Sequence, residues 1–306
     1  TPCGTLFPYT TLFRSRSGGA LQEFAKDINS GKSLRLNPIS FESAVSLKKD
    51  QWAFVEETSP ENLQDHLTQW ALQYFFSGRE NTAPKNVNSF PENNGESASE
   101  YDIAGKKYFD LVFEAEKLGA GELSGSEYGR LLLDALFQKV DSNRILTLVR
   151  KGIFGSISIN YYLAAFLSQR LKSPDWPQKG VLSGEIIIIT RNDYAKELFN
   201  GDSGVVIKDA SGVFRAWFKR PEYYIGFSLD VLPAWEPAFA MTVHKSQGSD
   251  FDDVLVVLPD ENHRLLTREM LYTAVTRAKK RIIIHGSTKA FFNGLKRKIY
   301  RESGLV

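Results

Sequence analysis

The chain has 306 residues, 42% of them hydrophobic, enough for one large or two medium cores. Its formal net charge is only +2, so overall charge makes no case for a nucleic-acid partner, and any such contact must come from a local patch. A single cysteine, Cys3, excludes a disulfide framework, and the four scattered histidines His66, His244, His263 and His285 have no metal-ligand spacing. No apolar run approaches about 20 residues, so no membrane span is expected and a cytoplasmic location is.

Residues 1–16, TPCGTLFPYTTLFRSR, show neither apolar periodicity nor the build of a signal peptide, and are expected to be non-native or disordered. Gly31, Lys32 and Ser33 spell GKS, which invites a phosphate-loop reading. That loop needs a glycine five positions before Gly31, where Lys26 stands, and a preceding apolar strand, which is absent. Leu63, Leu67, Trp70 and Tyr74 then recur at helical steps between Asn62 and Gly78. Residues 79–100, rich in Asn, Ser, Pro and Glu, predict a disordered loop. Helical periodicity returns over Tyr101–Leu118 and Tyr128–Val140, joined by the glycine-rich GAGELSGSEYG. Residues 17–143 therefore read as a helical linker region.

Arg144–Val149 is the first convincing sheet strand, with Arg150 and Lys151 at its carboxyl end. A helix over Tyr161–Leu171 and a second buried strand over Glu185–Thr190 follow. Strand, helix and strand in this alternation predict a parallel sheet. Residues 200–236 change character: GVVIKD, a DASG turn, VFRAWFK and YYIGFSLD are short runs with tight turns, which describe a small antiparallel barrel. Trp217, Phe218, Tyr223 and Tyr224, interleaved with Arg215, Lys219 and Arg220, either form a base-stacking face or fill the barrel core.

Phe239–Leu258, FAMTVHKSQGSDFDDVLVVL, is apolar at both ends and polar between. Read as two adjacent strands, it delivers one polar loop to one sheet edge, the carboxyl edge where open parallel sheets bind ligands. Thr242, His244, Lys245, Ser246 and Gln247 supply donors, Gly248 allows a close turn, and Asp250 can accept from a ribose hydroxyl. Thr267 then caps a helix expected to run through REMLYTAVTRAKKR. Arg277, late on that helix, suits a transferring phosphoryl group in trans; equally, Arg277, Lys279, Lys280 and Arg281 suit a helix C-terminus.

MTVHKSQGSDF followed by MLYTAVTRAKKR resembles motifs V and VI of superfamily 1 helicases, closest to the RecD-type or exodeoxyribonuclease V alpha-chain group. ILTLVRKGIFG (Ile145–Gly155) and IIITRNDYAKELFNGDSGVV (Ile187–Val206) match the same family upstream, in the right order. The resemblance implies an α/β fold: residues 144–199 and 237–306 as a RecA-like parallel-sheet domain, the second of two motor domains, with residues 200–236 as an SH3-like insertion called 2B. It implies an ATP-dependent 5'-to-3' DNA helicase subunit acting in recombinational repair, with single-stranded DNA and the other subunits of a RecBCD-like nuclease complex as partners. Thr242, His244 and Lys245 would face the DNA backbone, and Gln247, Gly248 and Asp250 the nucleotide. Arg277 and Arg150 would contact its terminal phosphate as catalytic groups. The family often carries Glu where this chain has Asp250, which weakens a ribose contact. The 306 residues hold no GxxxxGK[ST] and no paired acidic Walker B, so ATP and Mg would be bound mainly by a first motor domain outside them, and this part alone is expected to be inactive. A non-catalytic DNA-binding or assembly module that keeps the motor fold is the alternative.

Overall fold

The structure, a computed structural model, describes residues 19–32, 34–77, 103, 105–173, 175, 180–259 and 263–298. The expectations for residues 1–16 and for the loop 79–100 lie outside these residues. Helix α1 (Ala20–Ser30) buries Leu21, Phe24, Ala25 and Ile28, and ends at Gly31 with φ +67°. The Gly31 and Lys32 N–H groups donate back to Ile28 and Asp27. The GKS triplet thus opens on a left-handed helix cap, a conformation that glycine adopts without steric cost.

A short α2 (Phe41–Ala44) leads to β1 (Gln51–Glu56), and α3 (Pro60–Phe75) follows with Ser59 as its N-cap. Helices α4 (Tyr108–Glu116), α5 (Ala120–Gly125) and α6 (Glu127–Ser142) come next, so the glycine-rich joint folds in part as α5. Strand β2 (Asn143–Thr147) and helix α7 (Ser156–Arg170) begin the motif-bearing half. The antiparallel region comprises β3 (Ile186–Ile189), β4 (Ser203–Lys208), β5 (Phe214–Lys219), β6 (Tyr224–Ser228) and β7 (Trp235–Pro237). The chain closes with β8 (Ala240–Thr242), β9 (Phe251–Val257), α8 (Arg268–Val275), β10 (Ala278–Gly286) and α9 (Thr288–Lys296).

Two five-stranded sheets result, ordered β1-β10-β9-β2-β8 and β6-β5-β4-β3-β7. The first is parallel throughout, so this is the α/β architecture expected. All five residues of β2 are buried, as a strand covered on both faces must be. Helix α1 packs on α8 and β1, α9 on α8, α7 on β8, and α6 on β2 and β9.

Three expectations are corrected. The segment 17–143 is not only helical: its QWAFVE run forms β1, which pairs in parallel with β10 from Gln51↔Arg281 to Glu56↔Gly286. The second buried strand lies outside the parallel sheet, since β3 pairs antiparallel with β4 and β7. Its isoleucines alternate between two cores, Ile186 and Ile188 facing the large one while Ile187 and Ile189 face a small one with Leu198, Val206, Ala216 and Phe218. Burial on both faces writes the same apolar run in either kind of sheet, and each such isoleucine contributes about 1.5 to 3 kcal/mol relative to exposure. Finally, α8 stops at Val275, and Ala278, Lys279, Lys280 and Arg281 already belong to β10. The basic cluster therefore does not complement a helix C-terminus. Lys280 pairs with Asp252 at 2.7 Å, and Arg281 grips both oxygens of the buried Asp253, with Nε 2.6 Å from Oδ1.

Candidate nucleic-acid and nucleotide interface

The polar stretch after β8 does not join adjacent strands, because β2 lies between β8 and β9. Thr242 ends β8 level with Thr147 and Val257, at the carboxyl edge of the sheet, whereas Phe251 starts β9 beside Ala278, at the amino edge. Phe251 and Val257 stand at the two ends of the seven-residue β9, about 20 Å apart at roughly 3.3 Å per residue step. Residues 243–250 are therefore a crossover from one edge to the other, and the expected single-edge loop is corrected accordingly. Turn hydrogen bonds hold it: Lys245 and Ser246 N–H groups donate to Thr242, Gln247 to His244, and Ser249 to Ser246. The fully buried Ser246 hydroxyl donates to Val243 O at 2.8 Å, so this serine is an internal brace. Gly248 has φ +90°, a left-handed turn that a side chain would strain.

At the carboxyl edge, Thr242 and Lys245 are half-buried and His244 is exposed. Lys245 Nζ lies 2.5 Å from Glu236 Oε1, and Arg150 Nη2 lies 3.1 Å from Glu236 Oε2. One carboxylate from β7 thus gathers Arg150 and Lys245. Strand β8 itself is clamped by Asn160 on α7: its amide nitrogen donates to Pro237 O at 2.7 Å and Ala240 O at 2.8 Å, and its oxygen accepts from Ala240 N at 2.7 Å. Spacing gave no sign of either partner, since Glu236 and Asn160 act across 86 and 80 residues.

At the amino edge, Arg277 follows α8 in the turn before β10. Its guanidinium is folded inward, with Nη1 donating to Ser249 O at 3.1 Å and lying 3.2 Å from Asp250 Oδ1, and Nε donating to Thr273 O at 3.3 Å. Among the described residues, the contact of Nη2 is a 3.4 Å one, to Thr276 Oγ1. Gln247, Gly248 and Asp250 are exposed on the same crossover. A guanidinium with a weakly committed amino group and an exposed amide are donors that fit a nucleotide's phosphates, and the exposed carboxylate beside them is an acceptor that fits its sugar hydroxyls. The structure brings Arg277 to Asp250, and Arg150 to Lys245; the two arginines stand at opposite ends of the crossover. Among the described residues, no group of three or more His, Cys, Asp or Glu could hold a metal ion.

The aromatic face considered for residues 200–236 is mostly core. Trp217, Phe218 and Tyr224 are buried and only Tyr223 is exposed. Arg215 pairs with Asp209 at 3.2 Å, Arg220 with Asp202 at 3.4 Å and Lys219 with Asp134 at 3.8 Å.

Residues 237–285 match the UvrD-like helicase C-terminal domain. The chain is 36% identical to the RecBCD enzyme subunit RecD of Mycobacterium tuberculosis over 195 residues, 64% of this chain and 32% of that protein. It is 33% identical to the ATP-dependent RecD2 DNA helicase of Deinococcus radiodurans over 149 residues, 48% of this chain and 20% of that protein. A solved structure of Pif1 helicase from Bacteroides in complex with ADP-AlF3 and ssDNA aligns at 14% identity with a TM-score of 0.30, over 60% of this chain and 46% of that one. The chain spans about a third or less of the length of the curated relatives it matches. The match to the UvrD-like helicase C-terminal domain spans the motif residues at both ends of the crossover, and the chain is similar to RecD-type superfamily 1 helicases.

Proposed function

We propose that this chain is the second motor domain of an ATP-dependent, 5'-to-3' DNA helicase subunit, acting in recombinational repair within a RecBCD-like nuclease complex in the cytoplasm. The observation that carries the reading is the crossover of residues 243–250, one continuous segment with Thr242, His244 and Lys245 toward one sheet edge and Gln247, Gly248, Asp250 and Arg277 at the other. Such a segment suits a motor, because a shift at the nucleotide end is felt at the strand end. Thr242, His244 and Lys245 bind the single-strand backbone, and Gln247 links the two ends. Arg277 leaves Asp250 to stabilise the charge that builds on the transferring phosphoryl, and Arg150 contacts phosphate oxygens. ATP and Mg, held mainly by a companion motor domain, supply the phosphoryl group and its charge neutralisation. Residues 200–236, which include strands β4 to β6, are the SH3-like insertion.

The test is binding of a labelled single-stranded oligonucleotide by this chain across a salt series, read by fluorescence anisotropy. Weak, sequence-independent binding is expected, with a slope of log affinity against log salt of about −2 to −3, for three or four phosphates at roughly 0.7 each. No binding at low salt contradicts the reading.

A further inference from the structure

Glu236 has no role in the reading above, yet it holds two of that reading's phosphate-binding cations, one on each carboxylate oxygen. We propose that Arg150 and Lys245 form one shared phosphate site, and that Glu236 is an acidic placeholder which occupies it until a phosphate arrives. The inference rests on the proposed function, since it takes Lys245 and Arg150 to be phosphate ligands.

Three observations carry it. A carboxylate offering two oxygens to an ammonium and a guanidinium is chemically the same guest as the two non-bridging oxygens of a phosphate. The carboxylate is also fixed from behind. Glu236 lies opposite Ile188 in the β3–β7 pairing, the next residue's carbonyl is held by Asn160, and Ala238 N–H donates to Ile186 O at 2.7 Å. It is thus delivered to the two cations by a rigid strand. Lastly, the cluster is accessible: the Arg150, Lys245 and Glu236 side chains are 54%, 28% and 22% exposed. Partly exposed ion pairs of this kind contribute little to stability, so a phosphate bearing a full charge and more acceptor oxygens can displace the carboxylate. With Glu236 in place the trio carries one net positive charge, and without it two. The consequence is a site that ignores weak anions and opens to a phosphate.

The phosphate is either a phosphodiester of a single strand or a terminal phosphate of a nucleotide, and two arms separate them. Anisotropy of a labelled oligonucleotide and fluorescence of an N-methylanthraniloyl-ATP probe are each titrated with the 306-residue chain, as wild type, Glu236→Gln, Lys245→Ala and the double variant. Glu236→Gln is expected to bind one of the two probes about threefold to tenfold more tightly, with a salt slope steeper by about 0.7 for an oligonucleotide, and the double variant is expected to lose the gain. Glu236→Asp, which keeps the charge and shortens the reach, is expected to fall between and guards against a folding defect in Glu236→Gln. A gain for the oligonucleotide assigns a phosphodiester; a gain for the nucleotide assigns its terminal phosphate. Wild-type binding that is sensitive to Lys245→Ala, with unchanged or weaker binding in Glu236→Gln, overturns the placeholder and leaves the functional reading standing. No binding of either probe by wild type or Glu236→Gln overturns both.

Discussion

At the scale of single residues, the cations of the proposed site already have partners. Lys245 and Arg277 each engage a carboxylate, Glu236 and Asp250, so binding a phosphate at either place is an exchange of anions. Removal of the Lys245 ammonium is therefore expected to flatten the salt slope of single-strand binding by about 0.7, the share of one phosphate contact. Parallel salt series on wild type and Lys245→Ala check this, and superimposable slopes would take Lys245 out of the strand's path. Thr242, Lys245, Asp250 and Arg277 stand out as candidates because they sit in one dense run of polar residues and in the motif that follows it. Glu236 and Asn160 do not, because a partner 86 or 80 residues away leaves no periodic trace. The aromatics of β5 and β6 misled in the opposite sense: Trp217 and Phe218 are neighbours in sequence, and both are buried because β5 is packed on its two faces by different cores.

At the scale of elements, α7 and β8 form the unit that aims the crossover. Asn160 supplies both donor and acceptor to the strand, and its side chain is nearly inaccessible to water. Asn160→Leu keeps the number and branching of the side-chain heavy atoms and orphans the Ala240 N–H and two carbonyls. A loss of about 3 kcal/mol is expected, the upper end of the cost of an unsatisfied buried group. Urea unfolding measures it; a loss under about 0.5 kcal/mol, the scale of an inert surface change, would mean that the strand holds itself. Element type was legible wherever the pattern was long: α3, α4 and α6 follow their helical steps, and Thr267 caps α8 by accepting from Met270 N. Element ends and sheet membership were less so. The AVTRAKKR run continues a helical composition past Val275, but its backbone turns to pair with β9, a choice made by the neighbouring strand. QWAFVE is too short to stand out between helices, and only the exposed edge of β10 makes it a strand.

At the scale of the whole molecule, the N-terminal segment is joined to the motif-bearing half through a histidine pair, His285 buried and His66 half-buried. His285, near the end of β10, has Nε2 3.0 Å from Nδ1 of His66 on α3, and Phe41 stacks on His66 at 4.5 Å. Burial, then the neighbouring His66, pushes His285 down to about 4 from an ordinary 6.5, against a weaker opposing pull from Glu57. Burial likewise lowers His66, opposed by Glu57 and Asp65. Both imidazoles therefore resist protonation in the folded protein more than in the unfolded chain, and below about pH 6.5 unfolding takes up protons. Their contribution is fully present above pH 6.5 and is lost as pH falls from there toward about 4, a total of about 3 kcal/mol for His285. Thermal unfolding between pH 7.5 and 5 is expected to show a falling midpoint in wild type and a flatter one in His285→Gln, at roughly the scale of one protonation. Equal slopes would assign the acid sensitivity to other groups.

The role proposed for Arg277 is to act on a transferring phosphoryl group from the far end of the crossover. The most direct measurement is DNA-stimulated ATP hydrolysis by the full-length protein carrying Arg277→Ala, with ATP binding and single-strand binding measured in parallel. Hydrolysis is predicted to fall by about 10³ to 10⁵-fold while both affinities persist, the signature of a group used in the transition state alone. Hydrolysis that survives within about tenfold, or an equal loss of ATP binding, would contradict the claim and leave Arg277 as the brace between Ser249 and Thr273.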